Sequence, residues 1–284
     1  MTKYIILLFL FRVYICNAQK LSSSSLNYLK SISDTILDNP AEIFNVGRKD
    51  LYMGNNERGN EIMNYAINIS TYKNENIYHA FSTQNTKNGN YAVAIDALNM
   101  AVKYDINEAG YYGWVLLYYY RDYKNAIKYL TIYDSITPNT TDYPGGESLN
   151  SLLGIAYLQL GDFEKSVQQF DVYINEISNN FSLGEKWIDP YILIYKGIAL
   201  TKLQKNEEAI LLFDKALVRY NKSPEATYYK ALSLIALNRN EEVCNNLNQS
   251  LQNYSNKKSD IYIELPFEIY NKDIELNITK YCKY

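Results

Sequence analysis

Apolar residues recur along most of this chain every three or four positions, in paired runs separated by short polar turns. That is the period of amphipathic helices packed as hairpins. The clearest copy reads Leu153-Gly154-x-x-Tyr157-x-x-x-Gly161-Asp162-Phe163-x-x-Ser166-x-x-x-Phe170-x-x-Tyr173. It predicts two helices joined at Gly161-Asp162. Aligned on that turn, six copies appear, at Gly54, Gly89, Arg121, Gly161, Gln204 and Asn238, spaced 35, 32, 40, 43 and 34 residues apart. The fifth residue after each turn is Gly59, Ala94, Ala126, Ser166, Ala209 or Val243, small in five of the six. The ninth is Met63, Leu98, Leu130, Phe170, Phe213 or Leu247, always large and apolar. The twelfth is Ala66, Ala101, Tyr133, Tyr173, Ala216 or Ser250. Small and large columns holding one phase predict helix pairs that cross closely and stack as a single continuous body.

Two connections are longer than the rest. Thr137 to Gly146 carries two prolines and paired glycines and cannot continue a helix, and Ser178 to Pro190 lengthens the next link. Insertions of this kind lie at the edge of a stack, and a tolerated surface loop is the simpler expectation. Ser22 to Ser25 reads as a flexible linker before a helix carrying Leu26, Leu29, Ile32 and Ile36. At the other end Phe267, Tyr270, Ile274, Ile278 and Tyr281 follow Pro266 at helical spacing, as a last helix covering the end of the stack would. Its β-branched residues leave a strand as the alternative.

The hairpin columns resemble the tetratricopeptide repeat, in which small residues such as Gly154, Gly161 and Ser166 let paired helices approach. The resemblance implies an all-α, right-handed superhelical solenoid of about six TPR helix-turn-helix repeats over residues 40–254. A linker and N-terminal helix (19–39) would precede it, and a C-terminal capping segment (255–284) would close it. It also implies a concave groove lined by the first helix of each pair. Projected onto this chain, that face carries Tyr111, Tyr112, Tyr118 and Tyr119, then Tyr191 and Tyr195, then Tyr228 and Tyr229, with Tyr52 and His79 in the first two repeats. Ile194, Ile198 and Glu225 fall on the same face. Tyrosine fills nine of 36 such positions, against about four expected from 30 in 284 residues. Its rigid ring and hydroxyl suit recognition of extended peptides or sugars. Packing between neighbouring repeats is the competing use, and a register error of one would turn Tyr118 and Tyr119 into core. The groove lacks the Lys, Asn and Arg set of the carboxylate-clamp subfamily.

The net charge of −3 gives no basic face for a nucleic acid. Residues 1–18 read as a secretory signal, with Lys3, the apolar run Ile5 to Phe11 and the Cys16-Asn17-Ala18 cleavage site. Cys16 permits a lipoprotein reading, which would place the chain at a membrane, but Tyr14 and Ile15 are poor lipobox residues and cleavage after Ala18 is expected. Abundant Asn, Ile, Lys and Tyr make the chain similar to exported repeat proteins of the Bacteroidetes. Export permits a disulfide between Cys244 and Cys282, although two separate thiols are the expectation. His79 is the one histidine, no residues have metal-ligand spacing, and no nucleophile or phosphate-loop motif occurs. Glu207-Glu208 and Glu241-Glu242 open second helices, where they complement the helix dipole. No cofactor is expected. The chain thus reads as a non-catalytic, exported protein-binding scaffold of the bacterial cell envelope, gripping an extended peptide or partner helix. Carbohydrate binding by the groove tyrosines is the alternative, and a lipid-anchored assembly factor a third reading.

Overall fold

The computed structural model describes residues 20–70, 75–137, 142–180, 184–260 and 263–282. The expected signal segment and Cys16 lie outside the described residues. Among them every regular element is helical, and the chain divides into two compact units meeting at Asp105/Ile106. No such boundary was expected from the repeat pattern, which predicted one continuous body.

The first unit holds α1 (Ser23–Ile32) and two hairpins, α2 (Pro40–Tyr52) with α3 (Asn56–Ile69) and α4 (Glu75–Lys87) with α5 (Tyr91–Tyr104). The second holds four hairpins. These are α6 (Glu108–Val115) with α7 (Tyr123–Ile136), α8 (Leu149–Leu160) with α9 (Phe163–Asn180), α10 (Pro190–Lys202) with α11 (Asn206–Arg219), and α12 (Pro224–Ala236) with α13 (Asn240–Gln252). The last helix is α14 (Asn271–Tyr281). Each first helix packs on its own second helix. The architecture is that of an all-α tetratricopeptide solenoid.

The hairpin register follows from the residues. All six turn residues have the left-handed backbone that closes a helix, with φ of 85° at Gly54, 76° at Gly89, 52° at Arg121, 80° at Gly161, 61° at Gln204 and 58° at Asn238. Met63, Leu98, Leu130, Phe170, Phe213 and Leu247, nine residues on, are all fully buried. Opposite four of them stands a glycine. A Cβ on Gly154 would sit 2.5 Å from the Phe170 ring, one on Gly197 2.6 Å from Phe213, and one on Gly113 2.6 Å from Leu130. Gly47 makes the same approach to Met63.

Both ends differ from the expectation. Ser22 does not belong to a linker: its Oγ accepts from the Ser25 amide and caps α1, while Glu61 of α3 accepts from both serine hydroxyls. At the C-terminus the helix starts only at Asn271, so Phe267 and Tyr270 precede it. Pro266 disfavours helical backbone at Leu265, and Leu265 to Glu268 form a turn instead, closed by the Glu268 amide on the Leu265 carbonyl at 3.3 Å. Ile274 is fully buried against α13, and Cys244 and Cys282 form a disulfide with Cα atoms 5.4 Å apart. The expected pair of separate thiols is therefore corrected: the capping helix brings the residue after its last turn against α13.

Candidate partner-binding groove

In the second unit the face presented by α10 and α12 is covered by the chain's own segment between α13 and α14. Lys258 donates its amide to the Glu225 carboxylate at 2.8 Å, and its ammonium lies 4.4 Å from the centre of the Tyr191 ring. Leu265, Pro266 and Phe267 close a small cavity walled by Tyr191, Ile194, Tyr195, Ile198, Glu225 and Tyr229. The Tyr229 hydroxyl donates to the Phe267 carbonyl at 2.9 Å. At the α6 end Arg121 pairs with Glu264, which also accepts from the Tyr270 hydroxyl. Tyr118 and Gln159 line the space between Arg121 and Leu265 to Phe267. Within the segment Lys257 pairs with Glu268.

The polar side chains here are held by burial as well as by partners. Glu225, only 5% exposed, also accepts from Ser223 Oγ at 3.0 Å and from the Tyr191 hydroxyl at 3.4 Å. Burial, reinforced by nearby carboxylates, pushes the phenols of Tyr118, Tyr191 and Tyr195 well above their ordinary value. Burial likewise raises Tyr229. Each stays a donor: Tyr118 gives its proton to Glu147 and Tyr191 to Glu225, and Tyr229 gives its own to a main-chain carbonyl. Glu264 is held below the usual carboxylate range by its bond from Tyr270 and then by Arg121, while Tyr270 is pushed up to about 12 by the same Glu264.

The third repeat departs from the projected register. Gly113 is the crossing residue, and its turn residue Arg121 follows eight positions later, where Gly154 and Gly161, or Gly197 and Gln204, are seven apart. Residues Leu116–Tyr120 absorb the extra residue as a wide helical turn, a π-bulge. Side chains before the bulge are therefore rotated by one position. Tyr112 is 4% exposed and packs on Tyr129 of α7, with ring centres 4.4 Å apart, so it is a core residue. Trp114, absent from the sequence reading, takes the central place instead. Tyr111 stacks on it at 5.9 Å, and Tyr118 and Tyr119 approach it edge-on or tilted at 5.7 Å. The long connection before α8 folds back onto this cluster. Glu147 receives Trp114 Nε1 at 3.1 Å and the Tyr118 hydroxyl at 2.8 Å. The signal that could have found Trp114 was Gly113, small like Gly154 and Gly197 but one place early.

The remaining projected tyrosines divide. Tyr195 (6% exposed) and Tyr229 face the segment, whereas Tyr228 (9%) turns to the cap and receives Asn277 Nδ2 at 3.2 Å. Tyr52, in the first unit, is exposed, and His79 is half-buried with its carbonyl taken by Ser82 and Thr83. Arg121, Lys258 and Glu264 to Glu268 were not singled out as site residues, because their meeting depends on distant parts of the chain. Among the described residues no group of His, Cys, Asp and Glu could hold a metal ion, and no helix is long and apolar enough to cross a membrane.

Helix pairs, left-handed turns and crossing glycines together define the tetratricopeptide class of fold, and comparison with known proteins leads to the same class. No profile of a protein family and no curated protein matches the chain by sequence. Among solved structures it is similar to the C-terminal part of a TPR repeat-containing protein from Cytophaga hutchinsonii, at 15% identity and a TM-score of 0.59 over 81% of this chain and 90% of that one. It is similar to PilW, a widely conserved type IV pilus biogenesis factor, at 14% identity and 0.56 over 76% and 94%. PilF of Pseudomonas aeruginosa aligns at 14% identity and 0.54 over 84% and 96%. At such identities the likeness is one of fold.

Proposed function

We propose that this protein is a non-catalytic protein-binding scaffold whose second unit grips an extended segment of a partner along the first helices of its hairpins. One observation carries this reading: the face already holds a non-helical stretch of the chain, turned at Pro266 and Phe267, and holds it by main chain as well as side chain. Tyr229 donates to a carbonyl and Glu225 accepts an amide, contacts that any extended peptide offers. Around them Tyr191, Ile194, Tyr195 and Ile198 form an apolar wall. Sugar stacking needs open ring faces, and Tyr112, Tyr118, Tyr195 and Tyr228 are all less than a tenth exposed, so the carbohydrate alternative is not favoured.

We further infer export to a periplasmic or cell-envelope location. The signal-like residues 1–18 motivate that inference, and the Cys244–Cys282 disulfide supports an oxidising compartment. The test is site-directed photo-cross-linking in the native envelope fraction. A probe at Gln159, on the groove edge, is expected to trap a discrete protein that a probe at exposed Val218 does not. Identical adducts from both positions, or none from Gln159, would overturn the groove reading.

A further inference from the structure

We propose that Glu264-Leu265-Pro266-Phe267-Glu268 is a tethered stand-in for the partner, so that the groove's external ligand is a non-helical peptide of the same chemistry, turned at its proline and aromatic residue. That ligand is a segment of another protein carrying an acidic residue, then an apolar residue and proline, then an aromatic residue. The inference rests on the groove reading above and names the ligand class that reading left open.

Four observations on the segment distinguish an occupant from a piece of core. Leu265, Pro266 and Phe267 are only half-buried, while the large apolar residues of the hairpins beneath are wholly buried. Leu265 to Glu268 form a tight turn, with φ of 56° at Phe267 and the Glu268 amide donating to the Leu265 carbonyl at 3.3 Å, so its shape is closed within the segment. The turn is presented to the groove, where Tyr229 donates to the Phe267 carbonyl and Phe267 lines one cavity with Tyr191 and Tyr195. The acidic residue is read from the groove body too, since Arg121 belongs to the turn after α6 and lies 143 positions from Glu264. Finally, the segment is strung between two independent anchors. Tyr220 donates to the Asn256 carbonyl at one end, and α14 at the other is fixed by buried Ile274 and the disulfide. Residues 264–268 can therefore leave the groove as a bulge while the cap stays docked.

A tethered occupant competes at an effective concentration on the order of millimolar, so a free peptide meets an occupied groove. The anchors that hold the tether also define what displaces it. A carboxylate must reach Arg121, a proline and an aromatic ring must fill the wall, and the aromatic residue's carbonyl must accept from Tyr229.

The probe is a labelled synthetic peptide of residues Ile263 to Tyr270, with blocked ends, titrated by fluorescence anisotropy into the oxidised full chain. Leu265→Ser with Phe267→Ser removes the tethered anchors, and this chain is expected to bind the peptide at least tenfold more tightly than wild type. Adding Arg121→Gln is expected to weaken the opened chain's binding about threefold, as loss of a half-exposed ion pair would, and a scrambled peptide should not bind. Equal affinity of the opened and wild-type chains, at unchanged helicity, would overturn the proposal and make the segment a fixed cap. Dimerisation of the wild-type chain by exchanged segments, without gain for the peptide in the opened chain, would overturn it in favour of a second copy as occupant. If the opened chain fails to fold, amide exchange of wild type decides. Excess peptide must accelerate exchange at residues 264–268, and unchanged exchange refutes the proposal. A discrete Gln159 adduct with no peptide binding would sink this inference alone, whereas peptide binding without such an adduct would remove the external partner and the groove reading with it.

Discussion

Gly154 shows how far one residue can dictate local structure. Its missing side chain is where the Phe170 ring lies, and both are sealed from water, so the hairpin's crossing distance is set by a single hydrogen. Gly154→Arg should lower stability by more than about 3 kcal/mol, because overpacking is compounded by a buried charge. Leu211→Arg, on an exposed position of α11, should stay within about 0.5 kcal/mol of wild type. Thermal unfolding followed by circular dichroism separates the two, and an unchanged Gly154→Arg transition would show the crossing to be misplaced. The sequence pattern marked Gly154 as such a residue. In the third repeat the projected face is off by one before the bulge, because a π-bulge costs one residue and leaves no mark in apolar periodicity. Tyr112 and Trp114 exchanged places for that reason alone.

At the scale of elements, the C-terminal segment is the piece least foreseen. The spacing of Phe267, Tyr270, Ile274, Ile278 and Tyr281 fits a helix, and only the later part becomes one. The earlier residues turn at Pro266 and Phe267, where the Phe267 carbonyl accepts from Tyr229 of α12 in place of a helical amide. Acid should loosen this segment. Glu264 has a folded pKa below its ordinary value of 4.5, so its contribution is fully present above that value. It is lost as pH falls through the lower folded pKa, when Arg121 and Tyr270 lose an ionised partner. Amide exchange at residues 263–270, corrected for intrinsic rates, should rise between neutral and about pH 3.5 in wild type. Glu264→Gln should show the faster exchange already at neutral pH, and equal protection in the two chains would contradict this account.

For the whole molecule, each unit carries its own buried cluster, one around Leu29, Ile43, Leu51 and Ile62, the other ending in Leu234, Leu247, Ile269 and Ile274. Perturbing the cap should therefore be felt in one unit. Cys282→Ser opens a loop of sequence separation 38, which the chain-entropy account values at about 4 kcal/mol. Amide exchange should increase in α13, α14 and the segment between them and stay unchanged in residues 20–70. An equal increase there would show that the two clusters unfold as one. Residues 20–105 and 106–282 gave no compositional break to separate them, since both repeat the same hairpin pattern.

By itself the sequence determined the number of hairpins, their turns and the buried column nine residues beyond each turn. Those features depend on neighbours within a helical period and on left-handed turn geometry, and both are written locally. Only the tertiary structure decided which tyrosines face the C-terminal segment, that Trp114 gathers the tyrosines of the third repeat, that Cys244 reaches Cys282, and that Glu264 to Glu268 lie against the first helices of the later hairpins. Each of those depends on residues brought together from distant parts of the chain, or on a single inserted residue rotating a helix face. Periodicity records that a face is apolar, and it does not record what comes to cover it.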